Sequence, residues 1–240
     1  MRKILFVSGC SYTNKDFVSD YHSDMDTSWP KWPEILAKKL DMEVINLAYS
    51  GAGNEYIYSS LLDKIMTTDN IGLVIAAWTK CERKDWKIKG KWYNNAERVW
   101  EQNPFSNDIN AYIDKSLRLY YSLQEVCKSK KIPYKAVQML HMFRGWGWDK
   151  KKQTQHPSAD EIEKRPGFLK KIVNSIYCDK IDDSFLGWPG DKDLGGFSIK
   201  SDILGAYGKE SLKYAVSTKD NHPNVKGHQK IAEFLYDRLG

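Results

Sequence analysis

The chain has 240 residues, 41% of them apolar and 13% aromatic, a mixture that excludes intrinsic disorder and supports one sizeable core. Its 37 Lys and Arg against 31 Asp and Glu give a formal net charge of +6, spread along the chain, which does not point to a nucleic-acid partner. No apolar run approaches the roughly 20 residues of a membrane span, and Ile4–Val7 is too short for a secretory leader, so a cytoplasmic location is expected.

Ile4–Val7 is a continuous apolar run ending in Ser8-Gly9, the pattern of a buried parallel strand leaving its sheet. Residues 14–31 are polar and turn-rich. Trp32, Ile35, Leu36 and Leu40 then recur at helical spacing. Glu43–Leu47 reads as a second strand, Ser50–Asn54 as a glycine loop, and Tyr56–Met66 as a helix with Ile57, Leu61, Leu62 and Ile65 on one face. Leu73–Ala77 is the third strand. Asp108–Lys128 is a long amphipathic helix, and Tyr134–Leu140 is the fourth strand. From His141 to about Lys213 glycine and proline break this rhythm, and the apolar residues are too sparse for a separate core. The spacing therefore predicts one domain over 1–240 with an irregular insertion at 141–213. Tyr214–Val216 reads as a short strand. A helix closes the chain from Val225 to Leu239, with Asn224 as its N-cap. Alternating strands and helices predict a three-layer α/β/α sandwich with a mainly parallel, flavodoxin-like sheet.

In such a sheet, functional groups collect in loops at the carboxyl ends of the strands. Three loops carry chemistry. Ser8-Gly9-Cys10-Ser11-Tyr12-Thr13 follows strand one and presents a serine behind a glycine turn. Asn46–Asn54 follows strand two and holds Gly51 and Gly53. The spacing there is not that of a dinucleotide fingerprint, because Tyr56 stands where a third glycine belongs. Lys219-Asp220-Asn221-His222-Pro223-Asn224 precedes the last helix and sets a carboxylate two residues before a histidine, a pair suited to a Ser–His–acid system.

Together these blocks resemble the SGNH hydrolases, also called GDSL-type lipases and esterases. Gly9-Cys10-Ser11 with Thr13 is similar to the family's nucleophile block, and Val44-Ile45-Asn46 through Ser50-Gly51 to its glycine block. Asp220-Asn221-His222 with Pro223-Asn224 is similar to its acid–histidine block. The resemblance implies a serine esterase acting on a small acyl ester through Ser11, His222 and Asp220. It implies an oxyanion hole from Ser11 and Gly51 with Thr79 or Asn54, and no cofactor or metal. Cys10 stands where the family carries Asp, and Ala77–Arg83 lacks the Asn expected after strand three. These departures support an alternative, a catalytically inactive glycan-binding or structural module of the same fold.

Nine tryptophans are a high count. Trp78, Trp86, Trp92, Trp146, Trp148 and Trp188 fall near strand ends. The basic, aromatic stretch from Arg83 to Arg98 reads either as a loop pinned by its aromatics or as one wall of a carbohydrate groove, with Arg144–Trp148 as the other. Trp78, Arg83, His141 and Trp188 are the substrate-binding candidates. His228 is the runner-up base. His22 with Asp24 and Asp26 reads as an acidic loop and not as a metal site. No Gly-x-x-x-x-Gly-Lys-Ser/Thr loop supports nucleotide binding. The four cysteines lie far apart and are expected as free thiols.

Overall fold

In a computed structural model of the chain, residues 2–94, 108–143, 147–149, 154–156, 159–205 and 211–239 are described, with backbone only at 147–149, 154–156 and 159–162. Ile4–Ser8 forms strand β1, and its Leu5, Phe6, Val7 and Ser8 are all buried. A strand buried on both faces needs helices on both sides. β1 pairs in parallel with β2 (Glu43–Asn46) and with β3 (Ile71–Trp78). β6 (Tyr134–Gln138) pairs in parallel with β3, and β9 (Phe185–Leu186) with β6. The resulting order β2-β1-β3-β6-β9 is the flavodoxin-like order, with its switch point between β1 and β3.

The two faces of the sheet form two cores. Leu5 and Val7 join Ile75 and Val137 beneath α1 (Trp32–Lys39) and α5 (Val225–Tyr236), where Trp32, Leu36, Ile231 and Leu235 close the cluster. Phe6 and Val74 point the other way, into Ile57 and Leu61 of α2 (Asn54–Thr67) and Ile113, Leu117 and Tyr120 of α3 (Ile109–Ser129). The architecture is a three-layer α/β/α sandwich. Asn224 caps α5, its Oδ1 accepting the Gly227 N–H at 3.0 Å. Among the described residues no helix is long and apolar enough to cross a membrane.

Three segments differ from the sequence reading. The stretch 141–213 is not uniformly irregular. It contributes α4 (Ala159–Val173), which packs on α3, and the fifth strand of the sheet. Its apolar residues are few because they complete the main core: Ile172, Ile181 and Phe185 on one face, Ile199 and Leu204 on the other. It also holds a small hairpin, β7 (Gly147–Asp149) with β8 (Thr154–His156). Tyr214–Val216 reduces to a single antiparallel bridge between Ala215 and Pro223. The basic stretch after β3 is another hairpin, β4 (Asp85–Ile88) with β5 (Lys91–Asn94). Lys89 and Gly90, both at positive φ (47° and 80°), make its two-residue turn.

Candidate active site

The loops after β1, β2 and β3 and the turn before α5 meet on one rim of the sheet. After β1 the chain turns at once: the Thr13 and Asn14 N–H groups both donate to the Cys10 carbonyl, at 2.8 and 3.1 Å. Gly9 is required there, because a Cβ would lie 2.6 Å from Thr13 Oγ1 and 3.0 Å from Ala77 Cβ. Cys10 faces into the core beneath α1 and α5, fully buried, which accounts for an apolar thiol in place of a carboxylate. Ser11 faces the rim. Its Oγ lies 2.8 Å from His222 Nε2, across 211 positions of sequence.

His222 Nδ1 lies 2.6 Å from Asp220 Oδ1, and the His222 backbone N–H donates to the same oxygen at 3.0 Å. The other carboxylate oxygen accepts from Ser19 Oγ at 2.5 Å. Asp220 is only 2% exposed. Burial alone would raise its pKa, but the hydrogen bonds from the His222 ring, Ser19 and the His222 backbone outweigh it and hold the carboxyl at about 2. A charged carboxylate only accepts, so Nδ1 carries a proton, and in the neutral form of the ring the Nε2 lone pair faces the Ser11 hydroxyl. The rings of Phe17 and Tyr12 lie 4.5 and 5.0 Å from the imidazole, and the Tyr12 hydroxyl ties down the Asn221 carbonyl at 2.8 Å. His22 bonds Ser217 Oγ at 2.8 Å, and Ser217 Oγ accepts the Asp220 N–H at 3.0 Å. The polar loop 14–31 thus buttresses the acid turn through Ser19 and His22. Sequence reasoning missed Ser19, which carries no spacing signal of its own.

The loop after β2 is zipped to the Ser11 turn. The Leu47 N–H donates to the Val7 carbonyl at 2.7 Å and the Tyr49 N–H to the Gly9 carbonyl at 3.1 Å, while Asn14 Nδ2 reaches Ser50 Oγ at 3.1 Å. Gly51 sits at φ +80°, a region that L side chains rarely adopt. Among the described residues, neither the Ser11 nor the Gly51 backbone N–H has an acceptor. Each of the two residues thus leaves one backbone N–H donor unbonded.

No family sequence model matches this chain, and no curated protein matches it. Solved structures do. A protein from Desulfitobacterium hafniense DCB-2, described as lipolytic and of the G-D-S-L family, superposes with a TM-score of 0.50 at 12% identity, covering 99% of each chain. The psychrotrophic esterase EstA from Pseudoalteromonas sp. gives a TM-score of 0.47 at 13% identity, over 99% of this chain and 96% of that one. The fold is that of the SGNH hydrolases.

Within this SGNH fold, several expected site residues are placed elsewhere. Asn54 is not free to meet a substrate. Its Oδ1 accepts the Thr79 N–H at 2.9 Å, its Nδ2 donates to the Thr79 carbonyl, Ser116 Oγ and Tyr120 Oη, and the residue is 3% exposed. Thr79 is fully buried in the same clasp. The two candidates for a third oxyanion donor therefore bind each other. Trp78 is fully buried with its ring 4.5 Å from Tyr120, so it is a core residue and not a substrate platform. Trp188 donates to the Cys178 carbonyl at 3.0 Å and packs on Phe185, at the far edge of the sheet. Three strand spacings separate β9 from β1, about 14 Å. His141 is bonded through Nε2 to Ser201 Oγ, and burial pushes its pKa down to about 4, so it is a neutral internal brace. Arg83 does reach the glycine loop, donating to the Ala52 carbonyl at 3.1 Å. His228, the runner-up base, lies 1% exposed under α1. Arg144, Gly145, Trp146 and Arg98 lie outside the described residues, as does the Trp148 side chain.

Proposed function

We propose that this chain is a serine esterase of the SGNH type that hydrolyses a small acyl ester through an acyl-enzyme. One observation carries the reading: the unbroken relay from Ser11 Oγ to His222 Nε2 at 2.8 Å and from His222 Nδ1 to Asp220 at 2.6 Å. His222 takes the Ser11 proton as Oγ attacks the ester carbonyl. Asp220, charged at every physiological pH, stabilises the imidazolium that forms. The free N–H groups of Ser11 and Gly51 receive the developing oxyanion. The tetrahedral adduct then expels the alcohol, which takes the proton from His222. Water, activated by the same imidazole, next releases the acid and restores Ser11. Each oxyanion donor contributes roughly 10²–10³ in turnover.

Tyr49, 45% exposed and two residues before Gly51, offers an aromatic face beside the site. With the exposed Trp86 and Tyr93 of the hairpin, it favours an acyl group carried on a carbohydrate, since sugar rings stack on such faces. The second reading, an inactive glycan-binding module, draws on the mutual commitment of the Asn54 amide and the Thr79 backbone N–H and carbonyl, which leaves only the buried Thr79 hydroxyl without a partner at these two positions among the described residues.

Purified protein is expected to hydrolyse p-nitrophenyl acetate and to be labelled covalently by a fluorophosphonate. Ser11→Ala should lose both while keeping its circular dichroism and melting temperature. Wild-type protein inert to ester and probe would overturn the esterase reading in favour of the binding module, and a fully active Ser11→Ala would overturn the nucleophile.

A further inference from the structure

The hairpin inserted after β3 grips the glycine loop. Its open end is the rung Asp85–Asn94, two residues directly opposite in the β4–β5 register. Asn94 Nδ2 donates to the Ser50 carbonyl at 2.8 Å, and Asp85 Oδ1 accepts the Gly53 N–H at 2.8 Å. Arg83, just before the hairpin, donates to the Ala52 carbonyl lying between them. One short segment therefore bonds three successive parts of the loop backbone. The hairpin is itself anchored on α2: the Trp92 ring meets Tyr56 edge-on at 5.4 Å, and Asp85 Oδ2 accepts the Tyr56 N–H at 2.9 Å.

The Ser50 contact matters most. The Ser50 carbonyl and the Gly51 N–H belong to one planar trans peptide and point in opposite directions. Whatever holds that carbonyl fixes the direction of that N–H. The Gly51 N–H has no acceptor among the described residues, so nothing else in the described structure fixes it by bonding it. Asn94 also packs against Gly51 itself: a Cβ there would lie 2.5 Å from Asn94 Oδ1.

We propose that Asn94 is a positioning residue, which grips the Ser50 carbonyl and so aims the Gly51 N–H at the oxyanion formed over Ser11. This rests on the esterase reading above. The hairpin thereby does from outside the loop part of what a donor after β3 would do from within the site. Its contribution falls on the transition state, where the oxyanion exists, and not on substrate binding.

The test is Asn94→Leu, which keeps the side chain's size and removes its donor. Active sites are counted by fluorophosphonate titration, and kcat per titrated site and KM are measured with p-nitrophenyl acetate. A misaimed donor lowers kcat per site by about 10- to 100-fold. KM should stay within about twofold, and the pH profile of kcat should keep its wild-type shape, because His222 and Asp220 are untouched. A merely structural role would instead lower the titratable fraction and leave kcat per site unchanged, which would overturn the proposal. Asn94→Asp, equal in shape but unable to donate, gives the same loss if leucine is not accommodated, and normal kcat per site in that variant is equally fatal. Ser11→Ala run alongside separates the two claims. Activity lost at Ser11 but normal at position 94 sinks this proposal alone, whereas an inert wild type sinks both.

Discussion

His228 should set the acid stability of the protein. It lies in the first turn of α5, 1% exposed, and its Nδ1 accepts the backbone N–H of Trp32 at 3.3 Å. Trp32 opens α1, so that N–H is one of the donors a helix start leaves without an internal partner. Accepting it requires an unprotonated Nδ1. Burial above all, with Lys31 and His222 adding positive potential, pushes the His228 pKa down to about 3 from the ordinary 6.5. The unfolded chain therefore takes up this proton first as pH falls. The stabilisation is complete above the unfolded value and is lost progressively as pH falls toward the folded one. At pH 4.5 the unfolded imidazole is about 99% charged and the folded one almost neutral, which removes about 2.5 kcal/mol of the stability present at pH 7.5. Urea unfolding followed by tryptophan fluorescence at these two pH values, in wild type and His228→Gln, measures this directly. Glutamine keeps an acceptor for Trp32 but does not titrate. The drop between pH 7.5 and 4.5 should be smaller in the variant by about 2.5 kcal/mol, with the other titrating groups cancelling in the comparison. Equal drops in the two proteins would refute the buried, neutral imidazole.

Asp220→Asn should lower kcat for p-nitrophenyl acetate by about 10³- to 10⁴-fold while the chain stays folded by circular dichroism. The amide cannot accept from both His222 and Ser19 as the carboxylate does, and an NH2 turned toward Nδ1 moves the ring proton to Nε2. Because Asp220 is held near 2, below its ordinary 3.8, the stability from its bonds is present above pH 4 and lost as pH falls through 2. The Asn variant should lack this contribution, so that its drop in stability between pH 4 and 2 is smaller than the wild type's, read by the same urea titration. Gly51→Ala should cost about 1–3 kcal/mol of stability for a side chain at φ +80° and displace Asn94, whose Oδ1 would lie 2.5 Å from the new methyl. Its kcat should fall by at least about tenfold, in line with a donor moved off target.

The layers were legible because Ile4–Val7, Leu73–Ala77 and the helical apolar faces repeat at the periods physics assigns to them. The meeting of Ser11, Asp220 and His222 was legible because an open parallel sheet delivers its loops to one rim, and their side-chain types suit the relay proposed above. β9 was not, since two residues, Phe185–Leu186, are too few to show a period. Trp78 was misread for want of one more residue of strand. Along β3, Val74, Ala76 and Trp78 enter the core under α2 and α3, while Leu73, Ile75 and Ala77 enter the other. Strand alternation, extended one position, already puts Trp78 inside. The Asn54–Thr79 clasp is harder, because an amide at a helix start and a threonine at a strand end become partners only when α2 is laid against β3. Asn94 is harder again, for it touches no reacting group and acts through the backbone of a loop some forty positions away, as its contact with Ser50 shows. Residues that do chemistry betray themselves by type. Residues that aim a backbone N–H do so through one hydrogen bond of ordinary appearance, and only the register Asp85 opposite Asn94 against Ser50–Gly53 makes that bond meaningful.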